Sequence, residues 1–161
     1  MRHALLDPEN ASPGDGVVGV LAVDDDPGFL RLARKVVRAA AGFDLLGDAG
    51  TGEDGIRQVA VLRPQLVLMD VRMPGIGGLE AARRITHADD SDIAVILMSA
   101  DPFTVSPESV PPRAIGVVGK ERLSPRSLRA LWDDWRLEHP RADAAGLSRG
   151  ASPSARRTPR R

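Results

Sequence analysis

Short apolar runs alternate along the chain with segments in which apolar residues recur at helical spacing. Residues 16–23 form an almost continuous apolar run, which is typical of a parallel strand covered on both faces. A helical stripe follows, with Asp26 as its predicted N-cap and Pro27 in its first turn. The apolar members of this stripe are Phe29, Ala33, Val36, Val37 and Ala40. The pattern therefore begins with a strand and an amphipathic helix.

The same alternation continues through the rest of the apolar part of the chain. Further strands are predicted at residues 43–47, 66–69, 93–98 and 114–118. Helical patterns separate them, and the last helix begins with the capping pair Ser124-Pro125. Strands alternating with helices predict an α/β protein with a doubly wound, five-stranded parallel sheet.

The pattern is interrupted between the fourth and fifth strands. Four prolines fall in this connection, namely Pro102, Pro107, Pro111 and Pro112. Proline lacks an amide donor and clashes with the preceding turn of a helix. We therefore predict that the fourth helix is short, distorted or missing.

Composition and length fit one globular domain with two polar ends. The chain has 161 residues, of which 42% are hydrophobic and 27% charged, as expected of a folded domain. Residues 1–16 are polar with several prolines and glycines, and they predict a flexible lead-in. Residues 140–161 have no apolar periodicity and predict a disordered basic tail. The predicted domain is residues 17–139.

Several classes of protein are disfavoured by what the sequence lacks. It has no cysteine, which excludes a disulfide framework, a thiolate metal site and a cysteine nucleophile. No apolar run approaches the roughly 18 residues of a membrane-spanning helix, and the first residues do not form a secretory signal. We therefore expect a cytoplasmic protein without membrane insertion.

The net charge of zero conceals an acidic body and a basic end. The tail contains one acid, Asp143, against Arg141, Arg149, Arg156, Arg157, Arg160 and Arg161. An acidic body argues against nucleic-acid binding by the folded part. The tail is also too short to form a DNA-binding module, so we expect no DNA-binding domain.

Polar residues follow four of the five predicted strands. Asp24-Asp25-Asp26 follow the first strand, Asp70 the third, Ser99 the fourth and Lys120 the fifth. Since ligands of open parallel sheets bind beyond the carboxyl ends of the strands, these side chains are expected to converge. Adjacent carboxylates repel one another without a cation, and carboxylate oxygens with waters are what Mg²⁺ prefers. The pattern thus indicates a magnesium site with a hydroxyl and an ammonium group beside it.

These same residues carry a family resemblance over about residues 17–139. The chain resembles the receiver domain of two-component response regulators in Val23-Asp24-Asp25-Asp26-Pro27 and in the run from Leu66 through Asp70 to Pro74-Gly75. The Ser99-Ala100 and Gly119-Lys120 steps match the family in order and spacing. The resemblance implies the flavodoxin-like receiver fold and a stand-alone receiver.

The resemblance also implies a role for each site residue. Asp70 would accept a phosphoryl group from the phosphohistidine of a sensor histidine kinase or a phosphotransfer protein. Asp25, Asp70 and the Arg72 carbonyl would hold Mg²⁺ directly, and Asp24 would act through water. Lys120 would neutralise the phosphoryl oxygens, and Ser99 would hydrogen-bond one of them. Such a protein is not an enzyme in the usual sense, since it catalyses only its own phosphorylation and dephosphorylation, and it signals to a downstream protein target.

Two positions depart from the family pattern on the route from the phosphate to the output surface. Val117 stands where the family usually has an aromatic residue, and the proline-rich segment 102–112 stands where its fourth helix lies. Glu121 replaces the proline that commonly follows the lysine. A pseudo-receiver that binds partners without phosphorylation is therefore an alternative hypothesis.

A further alternative is a haloacid-dehalogenase-like phosphatase. Asp24 would be its nucleophile and Asp26 its acid/base, but this scheme leaves Asp70 without a role and lacks a cap domain.

Within the receiver interpretation, Arg72 and Asp101 flank the approach of the hydrolytic water. Because their charges are opposite, we expect them to pair across the mouth of the site.

Overall fold

The computed structural model describes residues 16–87 and 92–140. Within them, five strands and four α-helices alternate along the chain. The strands are β1 (Val18–Val23), β2 (Phe43–Ala49), β3 (Leu66–Asp70), β4 (Ala94–Ser99) and β5 (Ala114–Gly119). The helices are α1 (Pro27–Ala39), α2 (Gly52–Leu62), α3 (Gly77–Thr86) and α4 (Pro125–Glu138). The predicted flexible lead-in and basic tail lie almost entirely outside the described residues, so their boundaries stay predictions.

All strand pairs of the sheet are parallel, in the order β2-β1-β3-β4-β5. The predicted α/β fold with a doubly wound, five-stranded parallel sheet is confirmed. Strands β1, β3 and β4 are buried along their whole length, because helices cover both faces of the sheet. This explains why their sequences are apolar runs rather than alternating patterns.

Each face of the sheet has its own core. On one face, Phe29 and Val37 of α1 pack with Leu128 and Trp132 of α4 against the strands. On the other face, residues of α2 and α3 pack against Leu21, Met69 and their neighbours. The two layers of helices therefore fix the central strands from both sides, and with them the positions of the strand ends.

Side-chain caps begin the helices at the predicted places. Asp26 Oδ1 accepts a hydrogen bond of 2.8 Å from the Gly28 N–H at the start of α1. Ser124 and Ser127 form a reciprocal capping box at the start of α4. Both α1 and α4 have proline in their first turn, where its missing donor costs nothing.

The segment between β4 and β5 contains two short 3₁₀ turns, Pro102–Thr104 and Pro107–Ser109, and no α-helix. This outcome agrees with the prediction made from the prolines. The turns cover the edge strand β5 only partly, and five of its six residues are half-buried.

The stability of α4 provides a test of the packing on the first face. Leu128 is fully buried in that core, whereas Leu137 of the same helix is 83% exposed. We expect Leu128→Ala to lower the free energy of unfolding by about 2–5 kcal/mol, because it loses buried area and leaves a cavity. Leu137→Ala, the matched control, should change it by no more than about 0.5 kcal/mol. Equal effects in urea denaturation would contradict this packing.

Candidate functional site

The predicted site residues lie at the carboxyl edge of the sheet because the strands are parallel and in register. Val23, the last residue of β1, lies beside Met69 of β3. Asp70 lies beside Met98 of β4, and Ser99 beside Gly119 of β5. The polar residues that end β3 and β4 or follow β1 and β5 therefore lie at one edge of the sheet.

Burial separates these residues from ordinary surface charges. Within the parts of the chain that the structure describes, four polar or charged residues are buried: Asp24, Asp70, Thr86 and Ser99. Thr86 donates a hydrogen bond to the Ala82 carbonyl of its own helix, which accounts for its burial. The other three are predicted site residues, and buried carboxylates require partners.

Asp24 is completely buried and is held from two sides. Its Oδ1 accepts a hydrogen bond of 2.8 Å from the backbone N–H of Asp26. No backbone N–H and no hydroxyl of the described residues donates a hydrogen bond to Oδ2. The ammonium group of Lys120 lies 2.6 Å from Oδ2 as an ion pair. This oxygen thus retains the capacity to bind a further cation or donor.

Lys120 contacts both buried carboxylates. Its Nζ lies 2.6 Å from Asp24 Oδ2 and 3.3 Å from Asp70 Oδ1, and its side chain is 21% exposed. The short 3₁₀ turn Lys120–Arg122 at the end of β5 places it there. Lys120 therefore supplies one positive charge between two negative ones.

The pKa values of Asp70 and Lys120 are both shifted. Burial, and then the negative charge of Asp24, raise the pKa of Asp70 above its usual value, although Lys120 and the backbone N–H of Arg72 act in the opposite direction. Burial by itself lowers the pKa of Lys120, but its contacts with Asp24 and Asp70 outweigh burial and raise it. Lys120 is thus held in its charged form beside Asp70.

The carboxylates fit a divalent cation. One oxygen each from Asp24, Asp25 and Asp70 lies within 4.8 Å of the other two. Asp24 and Asp70 are buried, whereas Asp25 is exposed, so the cluster is open to solvent on the side of Asp25. Mg²⁺ prefers carboxylate oxygens together with several water ligands, which such an open side admits. Asp24 Oδ2, which is paired with Lys120, has a second acceptor position that can receive a hydrogen bond from a water on such an ion.

Ser99 is buried and bound to its own loop. Its Oγ accepts a hydrogen bond of 3.1 Å from the backbone N–H of Asp101. The hydroxyl is therefore at the carboxyl edge of the sheet, where the sequence placed it, with one lone pair occupied locally.

The expected pairing of Arg72 with Asp101 is wrong for the described structure. Arg72 instead donates a hydrogen bond of 2.7 Å to Thr104 Oγ1. Asp101 accepts one of 3.2 Å from the Phe103 N–H and caps the first 3₁₀ turn. The cause is local competition, since a short aspartate side chain readily satisfies the free amides of the turn that follows it.

Two contacts of the site were not anticipated from the sequence. Thr104, which receives the Arg72 hydrogen bond, lies in the proline-rich connection and has no motif to mark it. Phe29 was assigned only to the apolar face of α1, yet its ring lies against the Lys120 ammonium, 4.7 Å from Nζ to the centroid. Its place in the first turn of a helix that follows three aspartates was the available signal.

This fold and this site together define a response regulator receiver domain. The family model for the response regulator receiver domain matches residues 20–121. Since the match covers more than half of the chain, the chain belongs to this family. The resemblance noted in the sequence is thereby confirmed.

Curated relatives are response regulators as well. The chain is 38% identical over 89 residues to response regulator GacA of Pseudomonas viridiflava. This match covers 54% of this chain and 42% of GacA. It is 35% identical over 83 residues to response regulator UvrY of Escherichia coli K12, covering 52% of this chain and 38% of UvrY. The matches thus span less than half the length of either relative.

Solved structures support the fold. The response regulator domain of Thermotoga maritima CheB has a TM-score of 0.59 and 24% identity, covering 75% of this chain and 95% of that one. The anti-anti-sigma factor PhyR of Bartonella quintana has a TM-score of 0.64 and 22% identity. This match covers 81% of this chain and 52% of PhyR. Separately, none of the helices in the described residues is long and apolar enough to cross a membrane.

Gly78 provides a test of how tightly Asp70 is held. A Cβ at Gly78 would lie 1.6 Å from the Asp70 carbonyl oxygen, so α3 or the end of β3 would have to move. We expect Gly78→Ala to lower the free energy of unfolding by about 1–3 kcal/mol or more. Gly50→Ala is the control, since nothing lies within 4 Å of its Cβ. A similar stability of both variants in urea would refute the close approach.

Metal binding provides a test of the acidic cluster. We expect Mg²⁺ to raise the melting temperature, because it binds the folded chain. At ten times its Kd it should raise the free energy of unfolding by about 1.4 kcal/mol. Asp25→Ala should weaken this effect and raise the stability of the metal-free form, since it removes a repelling charge. Asp134→Asn, an exposed aspartate of α4, should behave as wild type. Thermal melts of the three proteins that respond equally to Mg²⁺ would count against the site.

Proposed function

We propose that this chain acts as a response regulator receiver that accepts a phosphoryl group on Asp70 from the phosphohistidine of a sensor histidine kinase or a phosphotransfer protein. The observation that carries the proposal is the arrangement of Asp70, which is 4% exposed, has Lys120 3.3 Å away and lies among acidic oxygens within 4.8 Å. A structural aspartate has no need of both a cation and further carboxylates at this distance.

The transfer requires a nucleophile and neutralisation of charge more than it requires acid–base chemistry. A carboxylate oxygen of Asp70 attacks the phosphorus, the P–O bond forms, and the P–N bond to the histidine ring breaks. The ring nitrogen leaves with the bonding electron pair. Lys120, held in its charged form, is in position to neutralise an equatorial phosphoryl oxygen. The acyl phosphate of Asp70 is the product.

Magnesium would complete the neutralisation. Asp25, Asp70 and the Arg72 carbonyl would hold the ion directly, and Asp24 through water, as the resemblance implies. In support of this assignment, Asp25 is exposed, where an ion from the solvent meets it first, whereas the buried Asp24 is already paired with Lys120. When bound, Mg²⁺ supplies positive charge to the phosphoryl oxygens and lowers the repulsion that an incoming phosphoryl group meets.

The response would begin at Ser99. To hydrogen-bond a phosphoryl oxygen, its hydroxyl must turn toward Asp70, and its bond with the Asp101 N–H would be strained or lost. Asp101 caps the turn that carries Thr104, and Thr104 binds Arg72. A change at Ser99 would thus reach the segment between β4 and β5, where a downstream protein target could detect it.

A phosphorylation-independent pseudo-receiver is the second candidate. It is favoured by Val117, a half-buried aliphatic residue that packs into the core, and by the absence of an α-helix from residues 100–113. Both features alter the usual route from phosphate to output. The intact acidic and basic site favours the phosphorylated receiver over it.

Intact mass measurement after incubation with Mg²⁺ and acetyl phosphate separates the two candidates. We expect wild type and Asp134→Asn to gain the mass of one phosphoryl group, because the nucleophile, the acidic cluster and Lys120 are present. Asp70→Asn should gain none, since an amide cannot form the acyl phosphate. Labelling of Asp70→Asn would overturn the assignment of the acceptor. A wild type that stays unlabelled would favour the pseudo-receiver.

A further inference from the structure

Lys120 has a third partner that carries no charge. Its Nζ lies over the ring of Phe29, 4.7 Å from the centroid, which is within the range of a cation–π interaction. Phe29 is 7% exposed and belongs to the core on the α1 face. The ammonium group is therefore bounded by two carboxylates and one aromatic face.

The position of Phe29 is fixed by the elements around it. Asp24 follows β1, Asp26 caps α1, and Phe29 occupies the first turn of that helix. Phe29 is itself 7% exposed and belongs to the same core as Val37 and Leu128. The aromatic face thus meets Lys120 from a rigid support rather than from a loop.

In the proposed function, metal binding would affect the two acidic partners of Lys120 but not Phe29. Asp24 and Asp70 would share their negative charge with a divalent cation. A bound cation therefore weakens the attraction that holds Lys120. The quadrupole of the Phe29 ring does not change when the cation binds, and the low exposure of both side chains limits competition by water.

We infer that Phe29 is a positioning residue, which retains the Lys120 ammonium at the site after Mg²⁺ has occupied the carboxylates. This inference rests on the proposed function for its consequence, the rate of phosphoryl transfer. Its geometry is testable separately, with a spectroscopic signal that does not require phosphorylation.

The chain contains two lysines, Lys35 and Lys120, so selective ¹³C-lysine labelling gives two side-chain signals. Protons above an aromatic ring shift upfield, and we expect the ε-methylene of Lys120 to lie upfield of that of Lys35, which is exposed on α1. The upfield shift should persist at saturating Mg²⁺. Lys120→Ala assigns the signals. Coincident signals, or an upfield shift that disappears with Mg²⁺, would overturn the inference.

Substitution separates the aromatic face from apolar packing. Phe29→Leu keeps a large apolar side chain and should remove the upfield shift of Lys120. Phe43→Leu is the matched control, since Phe43 is also 7% exposed and also lies 4.7 Å from a cation, Arg129. Both changes remove one buried ring, but only Phe29→Leu should move the Lys120 signal. If both variants move it equally, Phe29 has a merely structural role. Thermal melts establish that each variant is folded, and the wild-type spectra decide the question if one is not.

The kinetic consequence is measured with acetyl phosphate and Mg²⁺. We expect Phe29→Leu to slow the initial rate of phosphorylation roughly three- to tenfold, without a change in Mg²⁺ affinity. Phe29→Tyr, which retains the aromatic face, should recover most of the rate, and Phe43→Leu should keep the wild-type rate. An unchanged rate in Phe29→Leu would overturn the positioning role. A wild type that is not phosphorylated at all would refute the proposed function, and the Lys120 signals would still decide whether Phe29 holds the ammonium.

Discussion

The ion pairs of Lys120 with Asp24 and Asp70 are the interaction on which the site depends. Two carboxylates that are almost or completely buried would repel each other and lose their hydration, a cost that burial in a protein makes large. The Lys120 ammonium, 2.6 Å from one and 3.3 Å from the other, offsets that cost. Because it comes from the end of β5, it ties the edge strand to the two central strands that carry the aspartates. The site is therefore a cluster of two negative charges and one positive charge, and a metal ion or a phosphoryl group bound there would compete for the same charges.

The rigidity of the site comes from the fully buried strands below it. Residues that end strands of a parallel sheet keep their places because the helices of both faces fix the strands, and Gly78 allows α3 to approach the Asp70 carbonyl closely. The surroundings differ in kind. The connection from β4 to β5 consists of two 3₁₀ turns held by side-chain hydrogen bonds such as that between Arg72 and Thr104. The proposed chemistry and the proposed output thus rest on parts of the molecule with different kinds of support.

The outcome for Arg72 and Asp101 shows where reasoning from charge alone fails. Opposite charges at the mouth of a site attract only weakly in water, by about 0–1 kcal/mol. The turn that begins directly after Asp101 offers a free amide two residues away, and Arg72 donates to a hydroxyl on the same turn. Local hydrogen bonds of this kind are decided by the backbone conformation. That conformation follows from the turn chemistry of Asp101 and Pro102, which no pattern of charges encodes.

The sequence by itself determined the order of strands and helices, their apolar faces and the caps at Asp26 and Ser124. It also determined that four site residues converge, namely Asp24, Asp70, Ser99 and Lys120. Each follows from periodicity, from turn chemistry or from the rule that parallel strands end at one edge. The tertiary structure alone decided that Asp24 rather than Asp25 is buried against Lys120, and that Phe29 faces the ammonium. It also decided the partner of Arg72. These depend on rotamers and on distances between elements far apart in the chain, and side chains that are equivalent by type become distinct only when the packing around them is fixed.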